Sequence, residues 1–232
     1  MRKRKLTVSL LAVLTVSAFL LHVLWTRGIY GDLSADTCET DLFRQMNVTP
    51  AVFREAQEFA GEYSCDPIET LAVIMVLERL EPADSFRLDA GLRELALTVL
   101  EEKRGRAFAF LTEAYRAVFG GTECFPVSSQ AVGGGNFYYE DTFGEARNYG
   151  GQRTHEGCDV FGEKTQSGVY PVVSVCDGYV EKIGWLTLGG YRIGIRSRYG
   201  GYFYYAHLDS YERDFQVGDT VRAGEILGLM GD

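Results

Sequence analysis

The chain has 232 residues, of which 46% are hydrophobic and 13% aromatic, enough to build a core and too apolar for a disordered chain. Its formal charge is −9, and setting aside the four basic residues Arg2, Lys3, Arg4 and Lys5 leaves −13 for the remainder. So acidic a body repels phosphate backbones, which excludes nucleic acid as a partner.

The first block sets the compartment. Arg2 to Lys5 precede an uncharged stretch from Leu6 to Trp25, and Arg27 closes it. Twenty mostly apolar residues in a helix span roughly 30 Å, the hydrocarbon thickness of a bilayer. The apolar run exceeds that of a cleavable signal, and Trp25-Thr26-Arg27 offers no small-residue cleavage site. The reading is therefore an uncleaved single-pass anchor over residues 1–30, inserted in the lipid bilayer through 6–25. The N-terminus stays cytoplasmic and the rest of the chain faces outward. His22 within it reads as an interfacial residue rather than a ligand.

Glycine usage divides the remainder of the chain, with 22 of the 27 glycines lying from Gly120 onward. Residues 36–120 carry helical spacing and are expected to form a helical stalk. Thr49 caps and Pro50 opens a helix to about Glu62, with Val52, Phe53, Ala56, Phe59 and Ala60 on one face. Asp66-Pro67 starts a second over Ile68 to Leu80, apolar all round and suited to the centre of a small bundle. Two more fit Ser85 to Glu102 and Arg106 to Phe119, linked near Lys103-Arg104-Gly105. Ala56 to Glu78 faintly resembles the opening helices of lysozyme-like transglycosylases, but Glu78 reads better as a solvated helix-end carboxylate. The five cysteines are too widely spaced for a zinc ribbon or a dense disulfide framework, and a Cys38–Cys65 bridge is conceivable outside the cell.

From Cys124 onward, strands are expected at Tyr170 to Val175, Gly178 to Trp185, Tyr191 to Ser197 and Tyr202 to Leu208. The turns between them come from pairs such as Gly189-Gly190, Gly200-Gly201 and Gly218-Asp219. This predicts a mainly β domain over 124–232, a small antiparallel barrel or sandwich. Two histidines lie in it. His155 stands four residues before Asp159, and the two can share a metal ion only if the backbone bends, which Gly157 permits. A surface turn with an incidental His–Asp pair is the even alternative. Strand alternation puts His207 on one face with Phe203 and Tyr205, placed for proton transfer or for stabilising an oxyanion. A half-buried core histidine is the plainer alternative.

Arg153-Thr154-His155-Glu156-Gly157-Cys158-Asp159 resembles the R-x-H-x-G-x-D motif of lysostaphin-type (LytM-like) zinc peptidases. Pro171 to Val180, Gly190 to Ile195, Tyr205-Ala206-His207-Leu208 and Val217 to Gly228 resemble, in order, the later segments of that family. The resemblance runs from Cys124 to Asp232. It implies a zinc metalloendopeptidase that hydrolyses peptide cross-links of bacterial cell-wall peptidoglycan, with the catalytic domain extracellular. It implies Zn2+ as cofactor, His155 and Asp159 as two of three protein ligands, and His207 as a catalytic acid/base or oxyanion-stabilising group. The family's third ligand and second catalytic histidine belong to an H-x-H motif that has no counterpart here. The expectation is thus a fragment of a longer enzyme, inactive on its own. Asp209 is expected in the turn after the strand and not as a ligand, Cys158 to point away from Asp159, and Cys176 to be a small core residue. The alternative is a non-catalytic relative that binds wall peptides or activates another hydrolase. A lipoyl-type carrier, suggested by the Gly-Asp-x-Val turn, lacks a lysine in the required context.

Overall fold

The computed structural model describes residues 28, 30–128, 135–148 and 151–231. The predicted anchor at 6–25 lies outside the described residues, as does Asp232. Among the described residues, no helix is long and apolar enough to cross a membrane. The chain divides into two compact units between Glu113 and Ala114.

The first unit is helical, opening on a 3-10 turn, Thr37–Glu39, and a short helix α1, Asp41–Arg44. Helix α2 (Pro50–Tyr63) starts as its sequence predicts, because the Thr49 hydroxyl accepts from the Val52 amide and Pro50 sits in the first turn. Helix α3 (Pro67–Leu77) is capped by the Asp66 carboxylate, which accepts from the amides of Ile68 and Glu69. Its Leu71, Ala72, Val73, Ile74 and Met75 are at most 1% exposed, the burial expected of a helix apolar on every side. It stops before Leu80, since Arg79 and Leu80 adopt positive φ. The two helices predicted beyond it lie within α4 (Ala90–Phe119), separated at the predicted link by a kink at Arg104, whose φ of −143° and ψ of 23° are not helical. The Cys38–Cys65 bridge does not form: all five cysteines are thiols, and Cys65 Sγ lies 3.4 Å from the Thr70 hydroxyl.

The second unit is mainly β. Its strands are β1 (Phe137–Glu140), β2 (Ala146–Arg147), β3 (Arg153–Thr154), β4 (Asp159–Gly162), β5 (Pro171–Val173), β6 (Gly178–Leu186), β7 (Gly190–Ser197), β8 (Tyr202–Tyr211), β9 (Thr220–Val221) and β10 (Ile226–Met230). Six form one antiparallel sheet in the order β5-β10-β8-β7-β6-β9, an open sheet of half-barrel type rather than a closed barrel. One face buries Val175, Cys176, Val180, Ile193, Ile195, Tyr205, Leu208, Phe215 and Leu227. Cys176 is a small core residue, fully buried. The Tyr205 hydroxyl in this core accepts from the Val175 amide at 2.9 Å.

The other four strands form two short ladders, β1–β4 and β2–β3. They are successive stretches of one hairpin: Glu140 pairs with Asp159 on one side of a break, and Ala146 with Thr154 on the other. A two-stranded ribbon is marginal alone, and this one is secured through Tyr170, which is 1% exposed and packs with Val127, Val169, Phe137 and Val160. The bare backbone of Gly162 receives its ring, since a Cβ there would stand 2.0 Å from the Tyr170 ring. The Tyr170 hydroxyl donates to the Asn136 carbonyl and accepts from the Lys164 amide, both at 3.0 Å.

Candidate active site

The break in the hairpin is where the chemistry collects. His155 comes directly after β3, and its backbone holds the opposite strand at both ends: the His155 amide donates to the Glu145 carbonyl, and its carbonyl accepts from the Gly144 amide, each at 2.8 Å. Gly157 supplies the predicted bend and lies against the His155 ring. The chain then re-enters the ladder at Asp159. His155 and Asp159 converge as a result, with Nε2 and Oδ1 3.6 Å apart. That spacing is too long for a hydrogen bond. It suits a shared ion, because two ligand atoms about 2.1 Å from zinc at a tetrahedral angle stand roughly 3.4 Å apart. The pair fits one half of a metal site. Among the described residues no three His, Cys, Asp or Glu side chains come together closely enough to hold a metal ion.

Two residues that sequence reasoning missed complete the cluster. The Thr142 hydroxyl, in a residue 6% exposed, lies 2.8 Å from His155 Nδ1 and donates to Asp159 Oδ2 at 3.0 Å. Arg147 Nη2 donates to Asp159 Oδ2 at 2.5 Å and stands 3.0 Å from His155 Nδ1. Burial pushes the Asp159 carboxyl up, but the hydrogen bonds from Thr142 and Arg147 and the charge of His155 outweigh it, and the group sits below the ordinary carboxylate range. No periodicity marks Thr142 or Arg147. They are reached only by pairing 141–147 with 153–159 across the hairpin.

His207 departs from its predicted placement. Ile193 pairs with Tyr205 and Tyr191 with Leu208, so β8 carries one extra residue opposite Arg192. The bulge falls at Ala206–His207, and His207 takes φ 55°. Tyr205 and Leu208 both face the core as a result, while His207 is exposed on the other face instead of continuing the row of Phe203 and Tyr205. Its backbone is fixed at 2.8 Å on either side, by Gly189 O and by Gly231 N. Asp209 lies within β8 and not in a turn beyond it, and its Oδ1 accepts from the Ser167 hydroxyl at 2.6 Å. The Cys158 thiol donates to the Glu140 carbonyl at 3.3 Å and lies 3.9 Å from the backbone carbonyl of Asp159. Opposite the bulge, Arg192 buries Nε and Nη1 with no hydrogen-bond partner among the described residues.

In a mainly β domain, a hairpin thus presents a histidine and an aspartate at metal-ligand separation. Residues 153–232 match Peptidase family M23. The chain is 38% identical over 124 residues to the L-Ala--D-Glu endopeptidase of Bacillus subtilis (strain 168), across 53% of this chain, and spans 36% of that relative's own length. It is also similar to a crystal structure of a candidate glycyl-glycine endopeptidase lytM from Ruminococcus gnavus ATCC 29149. That match has 33% identity and a TM-score of 0.68, and covers 83% of this chain and 74% of that one. The chain belongs to the LytM-like peptidases of family M23, a family that is generally zinc-dependent.

Proposed function

We propose that this chain carries the His–Asp part of a zinc metalloendopeptidase site that hydrolyses peptide cross-links in peptidoglycan. Residues 6–25 would hold it at the outer side of the cell membrane. The observation that carries the reading is the 3.6 Å approach of His155 Nε2 to Asp159 Oδ1, with the opposite edges of both side chains already engaged. In this reading His155 and Asp159 hold the zinc, which when bound supplies a Lewis acid for the scissile carbonyl and acidifies a water. Thr142 and Arg147 orient the two ligands. His207, exposed on a bulge whose backbone is pinned on both sides, moves a proton or donates a hydrogen bond to the developing oxyanion. The endopeptidase name of the Bacillus subtilis relative supports a wall-peptide substrate.

The test is His155→Ala in the protein at its full natural length, assayed for zinc content and for hydrolysis of purified cell walls. Loss of both is expected, and a variant that retains zinc and wall hydrolysis refutes the assignment. One observation favours the alternative of a non-catalytic domain that binds wall peptides or activates another hydrolase: two metal-type side chains, not three, meet among the described residues. That alternative predicts wall binding that His155→Ala leaves unchanged.

A further inference from the structure

The edges of the His155–Asp159 pair are not equivalent. Nε2 and Oδ1 face each other unbonded, whereas Nδ1 and Oδ2 both meet the Thr142 hydroxyl and Arg147 Nη2. A threonine hydroxyl has one proton to give and lone pairs to receive another, while a guanidinium can only donate. Thr142 and Arg147 therefore ask different things of the imidazole. If Thr142 accepts from Nδ1–H, the ring's lone pair is on Nε2. If Arg147 donates to Nδ1, the proton is on Nε2 and that nitrogen cannot bind a metal.

The carboxylate decides between them. Asp159 Oδ2 can only accept, and hydrogen bonds to an ionised acceptor are roughly twice as strong as neutral ones. The Thr142 proton and the Arg147 donor are both drawn to Oδ2, at 3.0 and 2.5 Å, in preference to a neutral ring nitrogen. With its proton committed, the hydroxyl can use its 2.8 Å contact with Nδ1 only as an acceptor. We propose that Thr142 is a positioning residue that takes the Nδ1 proton of His155 in a hydrogen bond and gives its own to Asp159, fixing the tautomer whose Nε2 lone pair faces Oδ1, while Arg147 braces the outer carboxylate oxygen. The proposal rests on the metallopeptidase reading only for the identity of the ion.

Three forms of the full chain test it: the native protein, Thr142→Val, which keeps the side chain's shape without the hydroxyl, and Thr142→Ser, which restores the hydroxyl. Nitrogen-15 NMR of the metal-free protein, at a pH where imidazole is neutral, reads the His155 tautomer. Chelator competition reads zinc affinity. The native protein and Thr142→Ser should carry the proton on Nδ1. Thr142→Val should shift it toward Nε2 and lose about ten- to a hundredfold in zinc affinity, the usual effect of removing an outer-shell partner. Thr142→Ser should stay within about threefold of native on the same scale. A native protein with the proton on Nε2, or a Thr142→Val variant with native tautomer and affinity, overturns the proposal. His155→Ala separates the two ideas: unchanged zinc affinity there defeats the metal assignment, whereas the ring tautomer, measured without metal, still judges Thr142.

Discussion

Gly162→Ala tests how the hairpin that carries Asp159 is held. A methyl at this position would stand 2.0 Å from the Tyr170 ring and within 2.6 Å of two further ring atoms, so one partner must move. The ring has no slack, because Tyr170 is 1% exposed and its hydroxyl is bonded on both sides, to Asn136 O and from Lys164 N. Overpacking a tight core costs about 1–3 kcal/mol. Displacing the ring also breaks two hydrogen bonds worth roughly 1 kcal/mol each. The expected loss is thus about 3–5 kcal/mol, read as a shift in the urea midpoint at unchanged slope. Tyr170→Phe, which removes only the hydroxyl, should cost about 1–2 kcal/mol. In the double variant Gly162→Ala/Tyr170→Leu, the smaller side chain relieves the clash and the losses should be clearly less than additive. A Gly162→Ala protein within about 0.5 kcal/mol of native, or strict additivity in the double variant, refutes the idea that Tyr170 and Gly162 act as a lock.

Other outcomes rest on single contacts. Gly228→Ala places a Cβ 2.1 Å from the Ser210 carbonyl, inside the β8–β10 ladder, and should destabilise by about 2 kcal/mol or more, while a urea midpoint equal to native would contradict that packing. Arg192→Met removes a guanidinium whose buried Nε and Nη1 make no hydrogen bond among the described residues, so it should be neutral or stabilising by thermal melting, and a large loss would reveal a hidden partner. Burial pushes the Cys176 thiol up to about 11 from an ordinary value of 9.0. Because the folded protein keeps this proton longer than the unfolded chain does, stability is fully present below pH 9 and should fall as pH rises from 9 toward 11. Cys176→Ala should flatten that part of the urea-midpoint profile, and an unchanged slope would locate the alkaline loss elsewhere.

Much of the scaffold is legible in the sequence because its signals are local. Thr49 and Asp66 cap helices by bonding amides two or three residues ahead, so the sequence pattern carries the whole interaction. Gly157 announces a bend for the same reason. The bulge at Ala206–His207 carries no such mark: no glycine is present, and nothing in Tyr205-Ala206-His207-Leu208 says that the ladder with β7 gains a residue there. Period-two counting therefore puts His207 with Tyr205 and ends the strand before Asp209. The link at Lys103-Arg104-Gly105 is visible in the sequence, and the two helices part there at the non-helical Arg104. Thr142 and Arg147 are invisible for a different reason. They stand 13 and 8 residues before His155, and only the register of an interrupted hairpin turns those separations into contacts.

That interruption explains why the cluster sits where it does. In an unbroken hairpin, residues four apart on one strand would face the same way but stand roughly 13 Å apart. The ladder is paired as far as Glu140–Asp159 on one side, and on the other it resumes through the bonds of His155 with Gly144 and Glu145. Between these limits the two strands diverge, and the bend at Gly157 folds His155 back toward Asp159 while Thr142 and Arg147 reach in from the opposite strand. The 3.6 Å separation is consequently held by two backbone ladders together with the side-chain contacts of Thr142 and Arg147. Weakening either ladder should therefore disturb the pair more than trimming its exposed neighbours does. The Tyr170–Gly162 lock, which fixes the β1–β4 half, is then as much a determinant of the ligand spacing as Thr142 itself.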